Sequence, residues 1–194
     1  MELKDTIRSH LDQSAAVKKR VAETCLEDIS KAIDLIEKCF RAGNKLMICG
    51  NGGSAADSQH MAAEFTSRLT KDFERPSLPA LALTTDTSFI TAFTNDCGYE
   101  GVFARQIEGL GKSGDVLLGI TTSGGSKNII RAIEQSQNMG ISVIALTGQD
   151  GLRAQNSDVV IAVPSRDTQF IQESHLSIEH IICAQVEQRL YGRE

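Results

Sequence analysis

The sequence predicts an α/β protein, a three-layer αβα sandwich with a five-stranded parallel sheet and an N-terminal helical extension. Short apolar runs bounded by Gly, Ser, Thr or Asp have the length of buried strands, and helical stretches separate them. Regular alternation of strand and helix is typical of a parallel sheet that helices cover on both faces. The predicted strands are residues 45–49, 80–83, 116–120, 142–146 and 159–163.

Helices are predicted wherever apolar residues recur with helical spacing. The first is a long amphipathic helix over residues 15–39, which stops before Gly43 and Asn44 because such residues commonly follow helix ends. The later helices are predicted at residues 54–71, 87–94 with 99–110, 126–139 and 168–190, with a short turn near 152–155. Since no repeat or linker interrupts the chain, residues 1–194 are interpreted as one domain in which residues 1–43 form the helical extension.

Composition excludes several classes of protein. The 194 residues and 21.0 kDa suit one domain, and a net charge of −5 without a basic run disfavours nucleic acid as a partner. The charged N-terminus does not resemble a secretory signal, and no apolar stretch approaches the ~20 residues of a membrane span. The five cysteines are odd in number and widely spaced, which predicts reduced core residues rather than disulfides or a thiolate zinc cluster. We therefore expect a cytoplasmic protein without a membrane or nucleic-acid partner.

The first predicted strand runs into Gly50-Asn51-Gly52-Gly53-Ser54, and a helix follows directly. Backbone N–H groups at such a helix start can hold an anion or a polyol. A dinucleotide-binding fingerprint is the first alternative, but the next strand ends at Thr84-Thr85-Asp86, later than the ~20-residue spacing of a ribose-binding acid. A tight turn that needs glycine for its geometry alone is the second alternative.

The third predicted strand runs into Thr121-Thr122-Ser123-Gly124-Gly125-Ser126. Gly119 and Gly124 have the spacing of a nucleotide-binding loop, but the lysine that such a loop requires is missing. Backbone and hydroxyl donors without a fixed lysine suit the phosphate monoester of a small molecule. An ordinary turn, with Ser126 as the N-cap of the next helix, is the alternative.

Two helices carry candidate catalytic or metal-binding side chains. His60 and Glu64 are four residues apart and therefore share a helix face, as an acid and a base or two metal ligands would; an ordinary solvated face is the alternative. The last helix places ionisable residues in apolar surroundings, where burial is costly without a partner, so some of them are candidates for a site; a satisfied core or interface histidine is the alternative. Gln172 and His180 lie about 12 Å apart along one helix, so they can share a metal only if the helix begins after Gln172 or separate chains contribute. The polar residues of that helix are Gln172, Glu173, His175, Glu179 and His180.

Together these motifs resemble the bacterial phosphoheptose isomerases of the sugar isomerase (SIS) fold, a flavodoxin-like or Rossmann-like architecture. The resemblance rests on the segments 49–64, 94–96, 121–126 and 171–180, in order along nearly the whole chain. It implies interconversion of sedoheptulose 7-phosphate and D-glycero-D-manno-heptose 7-phosphate, which supplies heptose to lipopolysaccharide or other surface glycans. It also implies a homotetramer that uses residues 1–43 for assembly and has its active sites near subunit interfaces.

The resemblance further assigns roles by position. Glu64 and His180 match the catalytic pair, and one zinc ion per subunit is implied at His60, Glu64, Gln172 and His180. The matched substrate-binding positions are Asn51, Gly52, Gly53, Ser54, Glu64, Arg68, Asn95, Asp96, Thr121, Thr122, Ser123, Ser126 and Gln172. The chain departs from the commoner pattern at Phe170, where an Arg often stands, and at Ser67, where a Gly often precedes the Arg.

An aldose–ketose isomerase needs two groups that move protons through an enediol. We expect Glu64 to act at carbon and His180 at the hydroxyls, although the opposite division satisfies the same chemistry. Because Glu64 cannot bind zinc tightly and act as a base at once, either it leaves the metal during turnover or the zinc is structural. Two alternatives stay open: a non-catalytic SIS protein of the kind that binds the replication initiator DnaA, and an isomerase of another sugar phosphate. The presence of both Glu64 and His180 favours the enzyme.

Overall fold

The computed structural model describes residues 2–151 and 157–192, and within them it contains one parallel sheet. The predicted turn near 152–155 lies outside the described residues. Each strand lies within two residues of its predicted position, and the order across the sheet is β2-β1-β3-β4-β5. The strands are β1 (Leu46–Gly50), β2 (Ala80–Ala82), β3 (Val116–Thr121), β4 (Ser142–Thr147) and β5 (Val159–Ala162).

Helices cover both faces of the sheet, which confirms the predicted three-layer sandwich. One buried apolar cluster joins the sheet to α1, α2, α3 and α7, and a second joins its other face to α5 and α6. A short 3-10 turn at Tyr99–Gly101 links α4 to α5. The helices are α1 (Leu3–Thr24), α2 (Leu26–Arg41), α3 (Gly53–Thr66), α4 (Thr87–Cys97), α5 (Val102–Leu110), α6 (Lys127–Asn138) and α7 (Thr168–Tyr191).

The N-terminal region differs from its prediction, since the single long helix is two helices that meet at Cys25. The thiol of Cys25 donates to the carbonyl of Ala162 at 3.4 Å. Val17 and Val21 on α1 are buried near α7, whereas Ile33 on α2 is buried beneath the sheet. Each helix buries an apolar stripe, so the periodicity continues across the break and conceals it.

The strand order determines where a ligand binds. From β1 the chain passes to β2 on one side and then to β3 on the other side of β1. The loops that follow β1 and β3 therefore diverge and leave a crevice at the carboxyl edge of the sheet, where parallel sheets commonly bind ligands. These are the two glycine- and serine-rich loops of the sequence.

Candidate active site

The loop after β1 is shaped by its glycines. A Cβ on Gly50 would collide with the backbone of Ser54, and Gly52 has φ +57°, which favours glycine. The N–H groups of Ser54 and Ala55 bond the carbonyls of Asn51 and Gly52 at 3.0 and 3.1 Å. The loop itself therefore uses part of the donor set expected for a ligand. Gly52 and Gly53 are exposed at the crevice, whereas Ser54 is buried.

A pair of amide side chains ties this loop to the first turn of α6, directly after the loop that follows β3. The Asn51 amide donates to Asn128 Oδ1 at 3.0 Å, and the Asn128 amide donates back to Asn51 Oδ1 at 2.8 Å. The Tyr99 hydroxyl also donates to Asn51 Oδ1 at 2.9 Å. Sequence reasoning missed Asn128 and Tyr99, because they lie 77 and 48 positions from Asn51 and the contacts have no local pattern. Asn51 thus fixes the relative position of the two loops.

The hydroxyls of the loop after β3 are arranged around its turn. The Thr121 and Ser126 hydroxyls lie 3.1 Å apart, and the Gly125 N–H donates to Ser123 Oγ at 3.2 Å. Ser126 occupies the N-cap position of α6, but its hydroxyl pairs with Thr121 instead of a helix N–H. Ser123 is exposed and Thr122 half-buried. The arrangement favours a hydroxyl-lined anion site over a simple helix cap.

Three of the predicted metal or catalytic side chains come together. His60 and Glu64 on α3 meet His180 on α7: the two histidine Nε2 atoms are 2.9 Å apart, and His60 Nε2 is 3.5 Å from Glu64 Oε1. One ligand atom from each residue lies within 4.8 Å of the others. Among the described residues, the buried Glu64 Oε2 has no hydrogen-bond partner. Because α7 completes the group, His60 and Glu64 are not merely a solvated face.

The donor set of this cluster suits zinc, which binds imidazole nitrogen and carboxylate oxygen. The unpaired Glu64 Oε2 is the buried polar atom that a cation would satisfy. His60 and His180 are exposed, so an ion can reach them from solvent. His60, Glu64 and His180 therefore fit the zinc that the family resemblance implies.

Gln172 lies apart from the cluster, beside the first loop. A Cβ on Gly53 would lie too close to the Gln172 amide nitrogen, so a larger residue there would require the Gln172 side chain to move. Helix α7 is continuous from Thr168, and the alternative in which it begins after Gln172 is therefore wrong. Gln172 and His180 remain eight residues apart on one helix, and only the alternative with separate chains is left for a shared metal.

The other predicted contacts are exposed. Arg68 follows the end of α3, while Asn95 and Asp96 lie near the end of α4, where the Asn95 amide donates to Asp96 Oδ1 at 2.8 Å. A cavity of about 270 Å³ separates α4 from the first loop, with Thr84, Thr87 and Ile90 among its lining residues.

The ionisable side chains of His175 and Glu179 on α7 are also buried. His175 Nε2 bonds the carbonyl of Thr147 at 3.1 Å, and burial lowers the pKa of this histidine to about 4, so it is a neutral structural residue. Burial, with a smaller contribution from Asp57, raises the pKa of Glu179 to about 8. Burial also raises the pKa of Asp57. Burial thus favours the uncharged forms of Glu179 and Asp57.

The fold and the site together define an SIS-domain protein. The SIS domain family model matches residues 9–148, which include both loops and α3. The phosphoheptose isomerase of Aneurinibacillus thermoaerophilus is 47% identical over 192 residues, covering 97% of this chain and 96% of that protein. The structure of phosphoheptose isomerase from Neisseria gonorrhoeae has a TM-score of 0.90 and 40% identity, covering 96% of this chain and 100% of that one.

A phosphoheptose isomerase from Francisella tularensis is similarly close in structure, with a TM-score of 0.92 and 38% identity over 97% of this chain and 100% of that one. Within the SIS-domain class, the chain belongs to the phosphoheptose isomerase family.

Proposed function

We propose that this protein is an aldose–ketose isomerase that interconverts sedoheptulose 7-phosphate and D-glycero-D-manno-heptose 7-phosphate. The observation that carries the proposal is that His60 and Glu64 on α3 meet His180 on α7. Helix α3 begins at the loop that Asn51 joins to the start of α6, next to the hydroxyls proposed to bind the phosphate. In an open-chain heptose phosphate the reacting carbons lie at the opposite end from the phosphate. Glu64 lies three turns along α3 from the loop, so binding and proton transfer are separated in the same sense.

The side chains supply the two proton transfers that the reaction needs. Glu64 removes the proton from one carbon and returns it to the neighbouring carbon, a role that it can perform only while it is not tightly bound to zinc. His180 moves a proton between the two oxygens, with His60 orienting its ring through the contact at 2.9 Å. Hydroxyls of Thr121, Ser123 and Ser126 hold the phosphate. The same two proton transfers are also possible with the roles of Glu64 and His180 exchanged.

One zinc ion per subunit belongs to this proposal. His60, Glu64 and His180 would hold it, with Gln172 from another subunit as a further ligand. When bound, zinc stabilises negative charge on substrate oxygen as a Lewis acid.

We further propose a cytoplasmic homotetramer with active sites near its subunit interfaces. Leu3, Ile7 and Leu11 form an exposed apolar stripe on α1, with 76%, 53% and 63% of their surface accessible, and a second copy would cover it. In the described part of the chain, no helix combines the length and apolar character needed to cross a bilayer.

The direct test is turnover of sedoheptulose 7-phosphate by purified protein, with added zinc, after chelation, and in the Glu64→Gln and His180→Ala variants. We expect turnover by the wild type and its loss in both folded variants, and the chelation arm reports whether metal is required. Parallel assays with hexose and pentose phosphates test the choice of sugar. A folded wild type that binds the sugar phosphate without turnover at any metal concentration would instead support a non-catalytic SIS regulator.

A further inference from the structure

Arg75 lies in the segment between α3 and β2, and its side chain is only 1% exposed. The guanidinium group donates to the carbonyl of Glu64 at 2.7 Å and to the carbonyl of Phe65 at 2.8 Å. Its Nε donates to Glu187 Oε2 on α7 at 2.6 Å. A single side chain thus bonds the last turn of α3 and the neighbouring helix.

The contacts replace an ordinary helix ending. The last carbonyls of a helix lack partners within it, and a glycine after the helix often helps to satisfy them. Helix α3 is followed by Ser67 and Arg68 instead, and the fork of Arg75 bonds two of its final carbonyls. An arginine fork suits this task because its donors are rigid and coplanar. The buried Glu187 compensates the buried charge.

The two helices that Arg75 joins are those that carry the proposed catalytic pair. One of the two bonded carbonyls belongs to Glu64 itself. Glu187 lies seven residues beyond His180 on α7, which is two turns, so both residues lie on nearly the same side of that helix. The clamp formed by Arg75 and Glu187 therefore bears directly on the distance between Glu64 and His180.

We propose that Arg75 is a positioning residue for the isomerase reaction, holding the backbone of Glu64 against α7 so that Glu64 and His180 meet. This inference rests on the proposed function. The loops that would bind the phosphate lie at the other end of α3, so the clamp governs the chemical step more than substrate binding. Small displacements of reacting groups reduce rates strongly.

The test compares kcat and KM for Arg75→Lys, Arg75→Met and the double variant Arg75→Met with Glu187→Met. We expect kcat to fall by about tenfold or more in all three, with KM unchanged. Removing the unpaired Glu187 charge in the double variant should recover the melting temperature but leave kcat low. Recovery of kcat together with stability would show a merely structural role and overturn the proposal.

Lys45→Met is the matched control. Lys45 pairs with the fully buried Asp115 where β1 and β3 begin, so this variant also breaks an ion pair with a buried carboxylate. Within the part of the chain that the structure describes, neither residue bonds α3 or α7. We expect its melting temperature to fall while kcat is unchanged. An equal loss of kcat in Lys45→Met would contradict the proposal, since it would show that any loss of stability lowers kcat.

A second readout does not depend on turnover. The ring signals of the four histidines in the NMR spectrum of the purified full-length protein can be assigned with single His→Gln variants. In Arg75→Lys and Arg75→Met we expect His60 and His180 to shift and their mutual nuclear Overhauser effect to weaken, with His10 unchanged. Unchanged His60 and His180 signals would overturn the clamp. If the wild type showed no isomerase turnover but the His60 and His180 signals still shifted in the Arg75 variants, the clamp would be supported and the proposed function rejected.

Discussion

His175 is a buried neutral histidine, and this makes folding sensitive to acid. Burial lowers its pKa to about 4, against an ordinary value of 6.5 that the unfolded chain retains. Between these values the unfolded chain binds more protons, so the free energy of unfolding falls as the pH is lowered from 6.5 to 4. The slope from this one group is at most about 1.4 kcal/mol per pH unit.

We therefore expect His175→Gln, which keeps a donor for Thr147 but cannot be protonated, to have a flatter stability profile over this window. Urea unfolding of both proteins at several pH values between 4 and 7 measures the difference. If the free energy of unfolding changed equally with pH in both proteins, the effect of pH could not be assigned to His175, even if one protein were more stable throughout.

Asn128 is a second single residue with a testable role, because its amide pair with Asn51 joins the loop after β1 to the start of α6. Asn128→Asp removes the donor to Asn51 Oδ1 while preserving size, and places a carboxylate oxygen against that acceptor. Loss of one such bond at a buried site costs about 1–3 kcal/mol. We expect a KM for sedoheptulose 7-phosphate raised about tenfold, with a smaller change in kcat, in steady-state assays. Asn138→Asp, at the exposed end of the same helix, is the control and should resemble the wild type.

At the scale of elements, α1 is the helix with the most exposed apolar side chains. Replacing Leu3, Ile7 and Leu11 with Glu should leave the subunit folded, since these side chains are outside the buried core. Light scattering coupled to size exclusion should show the proposed tetramer in the wild type and a smaller species in the triple variant. The matched control replaces the exposed Lys4 and Lys19 with Glu. A variant that remains tetrameric would place the interface elsewhere.

Helix α3 ends at Thr66 although its sequence predicts a helix to residue 71. Apolar spacing continues beyond Thr66, so the local pattern contains no stop. The end is fixed by Arg75, which bonds the carbonyls of Glu64 and Phe65 from outside the helix. Such an ending depends on a side chain nine residues further along, and a window of local sequence does not reveal it.

At the scale of the whole molecule, ligand binding at the crevice stabilises the fold by mass action. For a ligand at about 100 times its Kd the gain is about 2.7 kcal/mol, which raises the Tm of a chain of this size by about 5–10 °C. Glu64→Gln, which should bind without turnover, is the protein to use in thermal-shift assays. We expect this rise with sedoheptulose 7-phosphate and none with sedoheptulose at equal concentration. Equal shifts with both sugars would show that the loop after β3 does not hold the phosphate.

Local sequence patterns were enough to predict the layer architecture and the two glycine- and serine-rich loops. Strand and helix periodicities are set by short-range geometry, and glycines such as Gly50 and Gly52 mark turns that other residues resist. His60 and Glu64 are close because four residues make about one helical turn, which is also a local property.

Contacts between side chains far apart in the sequence became known from the folded structure alone. The break at Cys25, the Asn51–Asn128 pair, the contact of His60 with His180 and the clamp by Arg75 join separate segments of the chain. The packing of helices on the sheet determines which of these residues meet, because local sequence patterns do not specify contacts between residues far apart in the chain. Individual candidate residues of the active site could therefore be predicted from the sequence, whereas the arrangement of these residues in space could not.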